Sequence, residues 1–469
     1  MNGGRSMSNF WDTSVWGGIN VIAMLLVGLI AASLIKKVFK PLQESLIPTS
    51  VLAGAVLLGI SGIYMAFSGD SMFNSPFMGG NGFDILETIT YHALALGFIA
   101  STFESSGEMT SKKRKVEVFN TGVTTVSTYL VQAITGIGIT IVAAKLIEGI
   151  FPAAGMILPF GFGQGTGQAM NYGNIYETQY GFAGGKSFGL AVATFGFLCG
   201  SFGGVIYLSH LKRKNHLKKQ DMGTVKAAIE KSQTQDEIPL FENMDTLTVQ
   251  FAFVMLCYLM TYGIIYVLGE LLPGMKAVIY GFNFLIGVLV TILVKNSVHK
   301  LEEKNILKKH YINDFMMVRL RNMFYDIMVV AGIAAIRMST MKGYMGLLCL
   351  ICIAGGILTF AYNYLVSRIL FKDYADEQLV AMYGMLTGTA STGIVLLREL
   401  DGEFKTPVSD NLVYQNFPAI IFGLPLMFIA AAAPENPENT LVIAIAFFAV
   451  LNIILFRAQI RGLFKKKSK

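Results

Sequence analysis

Pro159-Phe160-Gly161-Phe162-Gly163-Gln164-Gly165-Thr166-Gly167-Gln168-Ala169-Met170-Asn171-Tyr172-Gly173 carries five glycines, two glutamines, a threonine and an asparagine, and no charge. It sits in a chain made mostly of long apolar segments, where ordinary spanning helices do not read this way. Glycine lets backbone approach a ligand or another backbone and permits non-helical dihedrals. At membrane depth such broken backbone is tolerated only where it is buried in protein or lines an aqueous cavity. A second stretch of the same character, Tyr383-Gly384-Met385-Leu386-Thr387-Gly388-Thr389-Ala390-Ser391-Thr392-Gly393, lies in the other half of the chain. Paired interruptions of this kind are the sequence mark of a transporter's binding site.

Working outward, the 469 residues are 53% hydrophobic and only 14% charged, against about 25% charged in an average soluble domain. The composition is that of an all-α integral membrane protein. A net charge of +7 could suit nucleic acid, but the Lys and Arg fall in short clusters between apolar runs, as cytoplasmic loops should. Nucleic acid is therefore excluded as a partner, and the bilayer is the expected one. Cys199, Cys257, Cys349 and Cys352 all lie inside apolar segments without the flanking ligands of a zinc site. They read as small core residues.

Apolar segments long enough to span, close to ~20 residues, are expected at about 16–35, 47–67, 85–103 and 118–147. A re-entrant hairpin follows at about 151–183, then a fifth span at about 184–208. The basic clusters Lys36-Lys37, Lys112-Lys113-Arg114-Lys115 and Lys212-Arg213-Lys214 place the N-terminus outside and these loops inside. A polar cytoplasmic linker, 212–245, divides an N-terminal repeat (1–211) from a C-terminal one (246–469). The second repeat has expected spans at about 247–272, 277–294, 320–338 and 346–370, a second hairpin at about 378–400, and a span at about 411–433. A last span at about 441–456 has no counterpart in the first half, and its basic tail puts the C-terminus inside. Five spans is an odd number, so the second repeat enters the membrane upside down: two inverted five-helix repeats, each with a re-entrant glycine-rich hairpin, plus an extra C-terminal helix. The hairpin tips would meet near the midplane, where half-helix N-termini favour an anion and released carbonyls and hydroxyls favour a hard cation such as sodium.

The Gly-Gln-Gly-Thr-Gly-Gln-Ala-Met-Asn-Tyr-Gly run of the first half and the Leu-Thr-Gly-Thr-Ala-Ser-Thr-Gly run of the second resemble the paired re-entrant motifs of bacterial sodium:glutamate symporters, over most of the chain. That resemblance implies sodium-coupled uptake of glutamate across the plasma membrane by a homodimer with an elevator-like motion, and a protein that is not an enzyme.

The residues themselves offer roles. Gly163, Gly165 and Gly167 would expose N–H groups to a carboxylate, while Gln164, Thr166, Gln168 and Asn171 offer hydrogen bonds to the amino acid. Thr387, Gly388 and Thr389, with Asn416 beyond the second hairpin, would hold its other end. Thr389, Ser391, Thr392 and the intramembrane Asp326 are candidate sodium ligands. Tight helix packing explains any single small residue among these, but not two whole clusters. Arg319 and Arg337 flank Asp326 in the same expected span, where an internal ion pair competes with a functional role, and His92 reads as a core histidine. Symport of another anionic metabolite and cation/proton antiport centred on Asp326 are the alternatives. An enzyme would need paired carboxylates or a His-rich motif, and neither is present.

Overall fold

The computed structural model describes residues 9–44, 46–104, 111–215, 245–307, 311–341, 343–402 and 405–466. The first half forms α1 (Thr13–Val38), α2 (Lys40–Glu44), α3 (Thr49–Ser68), α4 (Gly82–Phe103), α5 (Lys112–Leu146), α6 (Leu158–Gln164), α7 (Thr166–Tyr180) and α8 (Gly185–Asn215). The second half forms α9 (Thr246–Leu271), α10 (Lys276–Gly281), α11 (Asn283–Glu303), α12 (Asp314–Ala334), α13 (Met345–Leu370), α14 (Ala375–Thr387) and α15 (Ala390–Arg398). It continues with α16 (Val408–Tyr414), α17 (Asn416–Ala432), α18 (Pro437–Leu455) and α19 (Arg457–Lys466). The fold is all-helical, with no strand among the described residues. Most of the linker expected at 212–245 lies outside them.

Local chemistry sets the helix starts. The Ser111 hydroxyl accepts from the Arg114 N–H at the head of α5, Asp245 does the same for α9, and Asn313 for α12; each satisfies a first-turn donor that has no partner within the helix. α18 combines an Asn436 cap with Pro437 in the first turn, where a missing N–H costs nothing.

Among the described residues nine helices are long and apolar enough to cross a membrane, and α16 with α17 makes a tenth if taken as one span. This is a multi-pass membrane protein. Three expected spans differ in detail. The 411–433 span is bent by 51° between Val408–Tyr414 and Pro418–Ala432, because Pro418 has no N–H to continue the ladder. The 277–294 span starts only at Asn283, after the chain turns at Phe282. α12 is a full helix of 21 residues, yet Arg319, Arg321 and Asp326 keep it outside the apolar set. It also ends at Ala334, so Arg337 is not on the helix of Asp326 as the sequence suggested.

Two compact units emerge, and each draws on both halves of the chain. Among the described residues, the first draws on 9–44, 48–104 and 245–336, and the second on 46–47, 111–215 and 337–466. In the first, Ile99, Phe103, Val254, Cys257, Met317 and Phe324 share one core across α4, α9, α11 and α12. Two charged side chains of this unit meet at the end of α4: Arg321 reaches both carboxylate oxygens of Glu104 at 2.6 and 2.8 Å, and Lys295 caps the helix through the Glu104 carbonyl at 2.5 Å. In the second, α5, α8 and α13 are long struts around two broken helices, α6/α7 and α14/α15.

Candidate functional site

The first interruption is made by Gly165, whose φ of 84° and ψ of −172° belong to a region that side chains other than glycine's hydrogen do not tolerate. α6 stops there after seven residues and α7 restarts with no side-chain cap. Around the break the packing is tight enough to require small residues. A Cβ on Gly163 would fall 2.0 Å from a Tyr129 ring carbon, and the Tyr129 hydroxyl donates to the Gly163 carbonyl at 3.1 Å. Phe160 stacks on Tyr172 with centroids 3.9 Å apart, joining α6 to α7. Tyr172 and Tyr176, one turn apart, donate to the carbonyls of Met427 and Ala430 on α17.

The second interruption follows Thr387. Thr389 is extended, with φ −141° and ψ 167°, and caps α15 through the Thr392 N–H at 3.3 Å. Its hydroxyl also lies 3.3 Å from that of Thr392. The loop beyond is braced by Asp401, which accepts from Lys405 N, Thr406 N and the Thr406 hydroxyl at 2.6–2.8 Å. Burial pulls the Asp401 carboxyl upward, but these bonds win and hold it below the usual carboxylate range.

Two helices bring the interruptions together. On α8, a Cβ at Gly196 would lie 2.6 Å from the Thr387 carbonyl oxygen and 2.9 Å from the Phe162 ring. On α5, Tyr129 holds Gly163 while Gln132, less than one turn on, donates to the Leu386 carbonyl at 2.8 Å. Both carbonyls belong to last turns, where a helix carries partial negative charge.

Within this arrangement Gly165, Thr166, Gly167, Gln168 and Asn171 are buried, and Gly163 and Gln164 half-buried. Both polar atoms of the fully buried Gln168 amide make no hydrogen bond. Thr387 and Gly388 are buried and Thr389 half-buried; the Ser391 side chain lies outside the described residues. Asn416 is exposed but receives a hydrogen bond from Gln415 at 3.2 Å, and Gln415 in turn accepts from Thr125 on α5 at 2.9 Å. Asp326 stands in the other unit, exposed and hydrogen-bonded to Ser50 on α3. Arg319 there lies over the Phe315 ring at 4.9 Å, which gives it a structural place. His92, expected in the core, is exposed instead, and its ring pairs with the Tyr258 hydroxyl of α9. The backbone N–H of Arg337 donates to Ser187 at the start of α8, at 3.1 Å.

A buried polar stripe on α5 escaped the sequence reading. Thr121, Thr124, Thr125, Thr128 and Gln132 all face the interior, and Thr359 and Asn363 face it from α13. Their spacing of three and four residues is the signal that could have found them.

The family model for the sodium/glutamate symporter matches residues 18–405. The chain belongs to the sodium/glutamate symporter family. No curated protein and no solved structure matches it. Both interruptions of this symporter-family chain fall within the matched residues, whereas α16 to α19, and with them Asn416, lie beyond. Thr166, Gln168, Asn171 and Thr387 are buried polar side chains at the two breaks. Among the described residues no group of His, Cys, Asp and Glu could hold a resident metal.

Proposed function

We propose that the protein is a secondary transporter that takes up glutamate with sodium, and that the interruptions at Gly165 and Gly388–Thr389 form its binding site. The observation that carries this reading is the start of α7. An uncapped helix N-terminus presents N–H groups and partial positive charge, which suit a carboxylate. In its first turn the Gln168 amide is buried with nothing to bond, and a buried unpaired amide of that kind is retained for a ligand more readily than for stability. Gln164, Thr166, Asn171 and the Thr387–Thr389 run would complete the shell, with Asn416 at its rim. The hydroxyls of Thr389 and Thr392, with Ser391, are the sodium ligands of the second interruption; Asp326 is a further candidate, tested by Asp326→Asn.

The two halves are inverted repeats in this reading, and both broken pairs are re-entrant. The helices of the pairs have 7, 15, 13 and 9 residues, each short of the ~20 needed to span. Both interruptions sit in one compact unit built from both halves, which favours an elevator-type motion in which that unit carries both of them. The family resemblance adds a homodimer, and the basic clusters favour a plasma membrane protein with its N-terminus outside and its C-terminus and 212–245 linker in the cytoplasm.

The test is radiolabelled glutamate uptake into proteoliposomes with an inward sodium gradient and with potassium in its place. Accumulation above equilibrium in sodium alone is the expected result. Equal uptake in both media, by folded protein, would sink the coupled reading, and accumulation of another anion in preference to glutamate would move the substrate.

A further inference from the structure

Two buried amides have been given no ligand in the site as drawn so far: Gln132 on α5 and Asn363 on α13. α5 and α13 hold the same place in the element order, each being the last long helix before a broken pair. Each carries a threonine four residues before its amide, Thr128 with Gln132 and Thr359 with Asn363, so hydroxyl and amide share one face a turn apart. The helices exchange these groups reciprocally. Gln132 Nε2 donates to Thr359 Oγ1 at 3.0 Å, and Asn363 Nδ2 donates to Thr128 Oγ1 at 3.2 Å. None of the four is more than 1% exposed.

The same contacts fix which end of each amide is which. Gln132 Nε2 also donates to the Leu386 carbonyl at 2.8 Å, and Asn363 Nδ2 to the Thr359 carbonyl at 2.9 Å. A backbone carbonyl only accepts, so the amide nitrogens must occupy these positions and the oxygens the others. Gln132 Oε1 and Asn363 Oδ1 are thus acceptors, shut off from solvent, and neither receives a hydrogen bond. Orphaned buried acceptors are rare in native proteins and call for an explanation. Two of them belong to one reciprocal contact, and the Leu386 carbonyl bonded to Gln132 lies in the last turn of α14, where the helix dipole is negative. Neutral hard oxygens beside a half-helix C-terminus suit a monovalent hard cation. No acidic side chain belongs to this cluster to recruit a divalent ion.

We propose that Gln132 Oε1 and Asn363 Oδ1 ligate a sodium ion where α5 and α13 cross. The proposal rests on the sodium-coupled reading above and adds a site on unbroken helices, separate from the Thr389–Thr392 hydroxyls. It also supplies a route for coupling. An ion held by Gln132 orders the side chain that bonds Leu386, one residue before the end of α14, and so biases the second interruption.

The test measures the melting temperature of the purified full-length protein against sodium chloride, with choline chloride as the control and no glutamate, alongside the sodium dependence of uptake in proteoliposomes. Wild type is stabilised by sodium. Gln132→Met and Asn363→Leu, which remove the amide, its oxygen and its N–H donors together, at similar volume, raise the half-maximal sodium concentration about tenfold or more in both assays. Should either apolar variant fail to fold, Asn363→Asp decides: it tightens sodium binding as pH rises through the new carboxylate's titration. Wild-type sodium dependence in the folded variants, the result a buried water would give, overturns the site while leaving sodium coupling intact. A wild type indifferent to sodium overturns the coupled reading and this site with it.

Discussion

The two glycine-rich interruptions restart their helices by different chemistry. α7 begins at a glycine with φ 84° and takes no side-chain cap. α15 begins after an extended threonine whose own hydroxyl accepts the Thr392 N–H. The first break spends a glycine-only conformation and leaves its first-turn donors to an outside acceptor. The second closes its own helix end and keeps hydroxyl oxygens at the surface of the break. The sequence invites a symmetrical reading, with substrate groups on both sides. The two helix starts differ in the groups they leave open, N–H donors at α7 and hydroxyl oxygens at α15, and under the proposed function that difference would favour the substrate carboxylate at the first and sodium at the second.

The sharpest way to break that division is at Gly165. Alanine there must adopt a backbone region that costs about 1–3 kcal/mol for a residue with a Cβ, and relaxing it would move the head of α7. We expect Gly165→Ala to lower glutamate uptake by about 100-fold at unchanged expression, whereas Gly388→Ala, at a residue with φ −147°, is the milder change. Equal losses at both positions would mean that the breaks are equivalent after all.

Gln168 separates function from stability. If its amide were a mere packing residue, leucine would remove two unsatisfied buried polar atoms and stabilise the protein by up to about 1–3 kcal/mol. A substrate ligand predicts a split outcome: Gln168→Leu melts at or above the wild-type temperature yet loses about tenfold or more in apparent glutamate affinity. Wild-type uptake in a stabilised variant would remove Gln168 from the site.

Gly196 tests whether the two breaks depend on one another. An added methyl would press on the Thr387 carbonyl oxygen at 2.6 Å and on Phe162 at 2.9 Å, so both interruptions must shift. Overpacking of this sort costs about 1–3 kcal/mol. Gly196→Ala is expected to lower the melting temperature and to weaken glutamate and sodium dependence together. A change in one without the other would show that the breaks move independently.

How much of this was legible in the sequence follows from the range of the interactions. Gly165 and Gly388 announced themselves because polar glycine-rich runs are anomalous in apolar segments, a purely local signal. The bend before Pro418 was equally readable, since proline removes its own N–H. The Thr121–Gln132 stripe stayed hidden because its threonines satisfy themselves on carbonyls four residues back, as Thr124 and Thr128 do, and so pass as ordinary spanning residues. Thr359 and Asn363 were masked by the apolar run around them. The composite units were beyond reach for a different reason: α5 meets α13 across more than two hundred residues, and no local pattern encodes that pairing. Asp326 and Arg337 were read onto one helix because the apolar run continues past Ala334 through Ala335 and Ile336, and Gly332 lies inside α12 rather than at its end.

The smallest expected effect concerns the cap itself. Removing the Thr389 hydroxyl leaves the Thr392 N–H without its acceptor, a loss of about 1 kcal/mol for a typical N-cap. If capping were all that Thr389 did, Thr389→Ala and Thr389→Asn would part company: asparagine caps as well as threonine and would restore both stability and uptake. A sodium ligand predicts otherwise. Asparagine restores the melting temperature, but its longer side chain moves the oxygen, so the sodium concentration for half-maximal uptake stays several-fold above wild type, roughly 3–5-fold for a ligand shifted rather than lost. Thr389→Ser, which keeps the hydroxyl in place, restores both. Recovery of sodium affinity in the asparagine variant would reduce Thr389 to a helix cap and leave the oxygens of the second interruption without a part in ion binding.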